Sequence, residues 1–309
     1  MIRGGKASRW VVLGALHFDV AATIDRDWFR SDEDDQTWTD VQAEIGGVAG
    51  NIARHLTDVH ESVDFLAVVG GDPLGRLLLS SIGFALPGAT VWPVVVSDAQ
   101  SGIVNILHLT GGVAKTRLMI APEHSAVDAV GYSDLRDRLT TLRSVAADLI
   151  VDGYILRNQL DHWLDVLQVL RDEGWRIHLE LVPHSGWRGL EEQVLRRLVA
   201  LCATVSASLG TLERVLRLHS ESGLIIEQRA SRFLEHAQAS LPGSAARITG
   251  RFGELNAEYC VQYGGGLEPR LWRYDLELID IVKGVQDKLF VMELTGNIAL
   301  VEGVQVSLN

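Results

Sequence analysis

The hydrophobic pattern along the chain alternates between two periods. The run "RWVVLGALHFDVAATI" is rich in β-branched and other apolar residues and contains a glycine, which predicts a strand with a bend. "SDEDDQTW" reads as an acidic exposed loop, and a glycine cluster follows it. Then Ile52, Ala53, Leu56 and Val59 recur at helical spacing. "VDFLAVVGGD" predicts a buried strand ending in a turn. "PLGRLLLSSI" opens the next helix with Pro73 early, where its missing N–H leaves no gap. The result is a β-α-β-α passage.

From about 91 to 120 the helical period disappears. "VWPVVV", "SGIVNILHL" and "KTRLMI" read as short strands, with Gly111-Gly112 placed as in a hairpin turn. This predicts a small antiparallel sheet inserted into, or beside, an α/β domain. After 125 the alternation returns. "DLRDRLTTLRSVA", "DHWLDVLQVLRDEG", "LEEQVLRRLVALC", "LGTLERVLRLH" and "ASRFLEHAQASL" predict helices. "ADLIVDGYIL", "WRIHLELVP", "ATVSAS", "ARITGRFG", "AEYCVQY" and "LWRYDLEL" predict strands. Strands alternating with helices imply a mostly parallel sheet covered on both faces. The length suits two average domains or one large α/β domain with an appendage, and no internal repeat, low-complexity tract or obvious linker divides the chain.

Composition narrows the partners. The chain is 47% hydrophobic with a formal net charge of −12 and no basic stripe, which argues against nucleic acid and anionic membranes. Arg3, Lys6 and Arg9 precede "WVVLGAL" as in a signal peptide, but Asp19 follows soon after, so a first core strand is expected. Cys202 and Cys260 form neither a metal-ligand spacing nor a disulfide framework, which suits a reducing compartment; the expectation is a cytoplasmic protein.

Several catalytic motifs are absent: H-E-x-x-H, G-x-S-x-G, the P-loop, and a G-x-G-x-x-G after the first strand. Three features remain. Asp19, at the end of the first strand, can accept two hydroxyl hydrogen bonds, or can serve as a cap or turn residue. Gly46 and Gly47 with Asn51 in "EIGGVAGNIARHL" can cradle a ligand, or can make a turn and a helix start. Near the C-terminus Gly284, Val285 and Gln286 precede Asp287. A helix opening there would favour an anion and place Asp287 to take a proton, or Asp287 can be an ordinary N-cap.

The order and spacing of these features resemble the ribokinase-like, or PfkB, family of sugar and nucleoside kinases. "GALHFDV" looks like that family's first strand with its substrate aspartate, and "GGVAGNIARHL" is similar to its first signature. "AVVGGDPLGRLLLSSI" matches the usual continuation. The strands near 91–120, with N-terminal segments, fall where the family has its β lid. "ARITGRFGE" is similar to the strand and glycine turn beside the nucleotide, which implies contacts from Thr249, Gly250 and Gly253. "KGVQD" falls where the family has G-A-G-D. The resemblance implies that residues 1–309 form a single domain with a three-layer α/β/α fold, a mostly parallel central sheet and a small antiparallel lid.

It also implies ATP-dependent phosphoryl transfer to a sugar or nucleoside hydroxyl, with magnesium. Asp19, Gly46, Gly47 and Asn51 would hold substrate hydroxyls. Asp287 would act as general base while the N–H groups of Gly284, Val285, Gln286 and Asp287 stabilise the transferring group. A homodimer through the lid is a further expectation. The alternative is a non-catalytic relative that binds a sugar-like ligand or a partner. It rests on Gln286 in place of a glycine, on the absence of N-x-x-E (Glu213 is the nearest acid), and on a C-terminal stretch shorter than the family commonly uses around adenine.

Overall fold

The computed structural model describes residues 9–25, 39–110, 116–181, 191–218, 225–241, 246–254, 257–266, 269–275, 290–291, 294–295 and 304–306. In chain order β1 (Arg9–Ala15), β2 (His17–Asp25) and β3 (Val41–Gly46) lead into α1 (Val48–Asp58). Then come β4 (Ser62–Gly70), α2 (Pro73–Ala85) and β5 (Ala89–Val96), followed by β6 (Gly102–Thr110) and β7 (Thr116–Ile120). The alternating part comprises α3 (Ala126–Ala129), α4 (Tyr132–Arg143), β8 (Asp148–Asp152), α5 (Leu160–Asp172), β9 (Arg176–Glu180), α6 (Glu192–Leu201) and β10 (Thr204–Ser208). The last described elements are α7 (Leu209–Val215), α8 (Ile226–Ser240), β11 (Arg247–Glu254), β12 (Ala257–Gly264), β13 (Arg270–Asp275) and β14 (Val304–Val306).

These strands form two sheets. The large one has the order β14-β13-β12-β11-β10-β9-β8-β1-β4-β5. From β11 to β5 its neighbours are parallel, and β12, β13 and β14 add antiparallel pairs at one edge. The small sheet has the order β3-β2-β6-β7, with two antiparallel pairs flanking a parallel β2–β6 pair. "VWPVVV" was expected beside the lid strands, but as β5 it closes the large sheet against β4. Pro93 is tolerated there because an edge strand leaves one side without ladder partners.

Side chains alternate across β1 and so build two cores. Val11, Leu13 and Ala15 join the cluster beneath α3 to α8. Trp10 and Val12 join Leu16, Ala49, Ile52, Phe65 and Leu78 on the face covered by α1 and α2. Phe290 and Val291 are buried in that second cluster. The three-layer arrangement expected from the alternation is therefore present.

Polar groups close the amino ends of the strands. Asp64 of β4 accepts from Arg9 Nη2 at 3.0 Å and from the Trp92 indole N–H at 2.9 Å. Asp148 of β8 accepts from Arg176 Nη2 at 2.7 Å and lies 2.9 Å from Nε2 of buried His178. Burial alone would raise the Asp148 carboxyl, but hydrogen bonds from His178 and Arg176 outweigh it and hold it below the usual range. Burial keeps His178 below its ordinary value, so the neutral ring donates Nε2–H to Asp148 and Nδ1 accepts from the Thr204 hydroxyl at 3.2 Å. Among the described residues no helix is long and apolar enough to cross a membrane.

Candidate active site

The strand predicted over 9–24 breaks at Leu16, whose N–H is taken by the Val68 carbonyl at 3.1 Å. The chain leaves the large sheet there and continues as β2 of the small one. Asp19 was expected at the end of the first strand; it lies instead on β2, opposite Glu44 of β3. Asp19 is only 7% exposed.

Both glycines of the opening motif have a steric reason. A Cβ at Gly46 would fall on Oδ2 of Asp19, so the missing side chain is the space that the carboxylate fills. Gly47 adopts φ 91° and ψ 151°, a conformation essentially reserved for glycine, and a Cβ there would lie 2.8 Å from the Ala15 carbonyl. Its N–H reaches Asp19 Oδ2 at 3.4 Å, and its carbonyl accepts from Asn51 N at 2.9 Å in the first turn of α1. Asn51 is buried, and Arg54 steadies this corner by donating to the Ile45 carbonyl at 2.7 Å. The structure thus brings Asp19, Gly46, Gly47 and Asn51 together.

Order at the neighbouring loop comes from the "GGD" stretch. Asp72 caps α2 through Gly75 N at 2.8 Å and also accepts from the Ser101 hydroxyl at 2.8 Å and N–H at 3.2 Å. Burial works against the ionised form, yet these hydrogen bonds hold the Asp72 carboxyl low. The entry to β6 is pinned as a result.

Two residues at this corner escape sequence reasoning. His17 lies two positions before Asp19 on β2 and so shares its face. It is buried against Gly102, its Nε2 has no hydrogen-bond partner among the described residues, and burial pushes its pKa down to about 4. Asp128 pulls that value up and Arg157 pulls it down. Arg157 itself grips Asp128, with Nη2 2.7 Å from each carboxylate oxygen, and Asn158 donates to Asp128 at 2.8 Å. The second residue is Asp152, 1% exposed at the carboxyl end of β8, where its Cβ packs against Gly14 and its Oδ1 accepts from Tyr154 N at 3.0 Å. Strand order reverses between β1 and β8, so Gly14 and Asp152 flank the switch point where open α/β sheets bind ligands.

Thr249 and Gly250 lie within β11. Thr249 is buried, and Gly250 is hemmed in by Leu209 and Leu212 of α7 and Val261 of β12. Gly253 follows on the same strand, opposite Glu258. Beside them Arg251, with no exposed surface, pairs with Glu180 at the end of β9, and its guanidinium lies 5.7 Å from the Phe290 ring. Glu213 is held by Arg229 at 3.1 and 2.6 Å. The end of β10 carries Ser208, whose hydroxyl meets that of Thr211 at 2.8 Å. Among the described residues no group of three His, Cys, Asp or Glu side chains is placed to hold a metal ion. Gly284, Val285, Gln286 and Asp287 lie outside the described residues.

Solved structures with this architecture cover nearly the whole chain. The 2-dehydro-3-deoxygluconokinase of Thermotoga maritima matches with TM-score 0.68 and 18% identity, over 96% of this chain and 89% of that one. Anopheles gambiae adenosine kinase, in complex with P1,P4-di(adenosine-5) tetraphosphate, matches with TM-score 0.67 and 14% identity, over 94% and 89%. Arabidopsis thaliana ribokinase, complexed with ribose and ATP, matches with TM-score 0.65 and 15% identity, over 95% and 87%. The fold is ribokinase-like. No family model and no curated protein matches the sequence. Within the ribokinase-like fold the Asp19 corner sits where the two sheets meet, and the Glu180–Arg251 pair joins β9 and β11, two and four strands from β1 in the large sheet.

Proposed function

We propose that this protein transfers a phosphoryl group from ATP to a hydroxyl of a sugar or nucleoside. The observation that carries this reading is the buried Asp19 carboxylate seated over Gly46, beside the Gly47 N–H and Asn51. Support also comes from the fold, shared with proteins described as ribokinase, 2-dehydro-3-deoxygluconokinase and adenosine kinase.

Each residue then has a task. Asp19 accepts hydrogen bonds from substrate hydroxyls, and Asn51 donates or accepts according to the hydroxyl it meets. The edge between the two sheets shields the acceptor from water. Asp287 takes the proton of the attacking hydroxyl, and N–H groups of residues 284–287 face the developing charge. When bound, ATP with magnesium supplies the phosphoryl group and charge neutralisation. The proposal includes nucleotide contacts from Gly253 and a homodimer through the small sheet, where Val41, Ile103 and Ile120 are exposed. A monomeric mass in solution would remove the dimer.

A second reading is a non-catalytic protein that binds a sugar-like ligand. The Glu180–Arg251 pair favours it, because two charged groups are buried together at the nucleotide side of the sheet. A phosphoryl-transfer screen with ATP and magnesium over sugars and nucleosides, run on wild type and Asp287→Ala, decides between them. Turnover that disappears in the variant is the expected result. No turnover, together with no ATP binding by calorimetry, overturns the kinase and leaves the second reading.

A further inference from the structure

A cavity of about 670 Å³ opens at the amino ends of β9 and β10, at the opposite end of the sheet from the Asp19 corner. That volume falls within the range of small-molecule sites, roughly 300–1,000 Å³. Its apolar lining comes from Trp175, Ile177, Val199, Leu201, Cys202 and Leu241. Its charged lining is Arg171, Arg176 and Arg196, and no carboxylate belongs to the described lining. In a chain of net charge −12 this concentration of cations stands apart.

Helices α5 and α6 both end here, and bare C-terminal carbonyls would repel an anion. One α6 carbonyl is covered, since Arg171 Nη1 donates to Ala200 O at 2.7 Å, and just past the end of α5 Arg143 Nη2 donates to Gly174 O at 2.9 Å. Asp148 holds Arg176, and Glu192 holds Arg196 at 2.7 Å, yet both guanidinium side chains keep about half their surface or more in solvent, 61% and 47%. Trp175 is 3% exposed, and its indole N–H has no hydrogen-bond partner among the described residues. Burial pushes the Cys202 thiol up to about 12, so it stays neutral and adds no negative charge. The polar side chains of the cavity therefore offer donors and positive charge around an apolar floor.

We propose that this cavity binds a small organic acid, a carboxylate carried on an aliphatic or aromatic body, at a site separate from the Asp19 corner. The arginines take the carboxylate and the floor takes the apolar body. Arginine suits this task because its planar fork matches a carboxylate.

Calorimetry on the full chain tests it with octanoate, octylamine and octanol, which share one tail and differ in head-group charge. Octanoate is expected to bind saturably with Kd below ~1 mM, octanol more weakly, and octylamine not at all. Arg171→Gln and Arg196→Gln should each weaken octanoate about tenfold. Val199→Trp should abolish binding by filling the cavity, and Trp175→Phe should weaken it while keeping the ring. Asp19→Asn should leave octanoate binding unchanged, which separates this site from the proposed kinase site. Circular dichroism establishes that each variant is folded; if a variant is not, the wild-type contrast between octanoate and octylamine decides. Equal binding of the two, no saturable binding, or octanoate affinity indifferent to both Arg171→Gln and Val199→Trp would overturn the proposal.

Discussion

The carboxylate of Asp19 occupies the volume that a side chain at Gly46 would need. Glycine at 46 is therefore a condition for the aspartate to lie where it does, and the two residues form one device. Gly46→Ala should displace the carboxylate while leaving the strand pairing intact. Its expected effect is a rise in KM for the sugar or nucleoside of roughly tenfold or more, about 1.4 kcal/mol, with a smaller change in kcat. Steady-state kinetics, or ligand titration if turnover is absent, checks this. An unchanged affinity would mean that Asp19 does not hold substrate.

Gly47→Ala acts on the backbone. With φ at 91° and the Ala15 carbonyl close by, the new Cβ has neither a permitted conformation nor space. A loss of ~1–3 kcal/mol in unfolding free energy is expected, read as a lower urea midpoint at constant slope.

The corner was more legible in the sequence than the rest of the site. Gly46, Gly47 and Asn51 announce themselves because backbone shape restricts residue type locally. His17 and Asp152 carry no such signal: what marks them is burial, and burial is set by Gly14, Gly102 and Ala49, which arrive from other strands and from α1. The Glu180–Arg251 pair spans 71 residues, so nothing near either side chain foretells it. Helix and strand alternation gave most of the fold, while β5 was misjudged because a run such as "VWPVVV" suits an edge strand of either sheet.

Removing one half of the Glu180–Arg251 pair strands a buried charge. Arg251→Met alone should destabilise the protein by about 3–5 kcal/mol, and adding Glu180→Leu should restore much of that. Denaturant unfolding of the two single variants and the double variant measures the coupling. Costs that simply add would show that the two side chains do not depend on one another.

Acid stability should carry the signature of His17. Its folded pKa of about 4 lies below the ordinary value near 6.5, so between those limits the unfolded chain holds more protons. Stability from this group is complete above about pH 6.5 and falls as pH drops toward 4, by roughly 3 kcal/mol in all. His178, also held low by burial, contributes with the same sign. Urea midpoints measured from pH 7.5 to 4.5 should decline in wild type and decline less in His17→Asn. A variant with the wild-type slope would remove His17 from this account.

The break at Leu16 has a mechanical meaning. One continuous chain passes from the large sheet to the small one, and Asp19 rides on the far side of that joint while Asp152 stays on the near side. Any tilt of the small sheet changes the distance between the two carboxylates. For the proposed kinase, gripping a ligand and covering it would then be one movement, and a substitution that stiffens the joint should slow capture and release together.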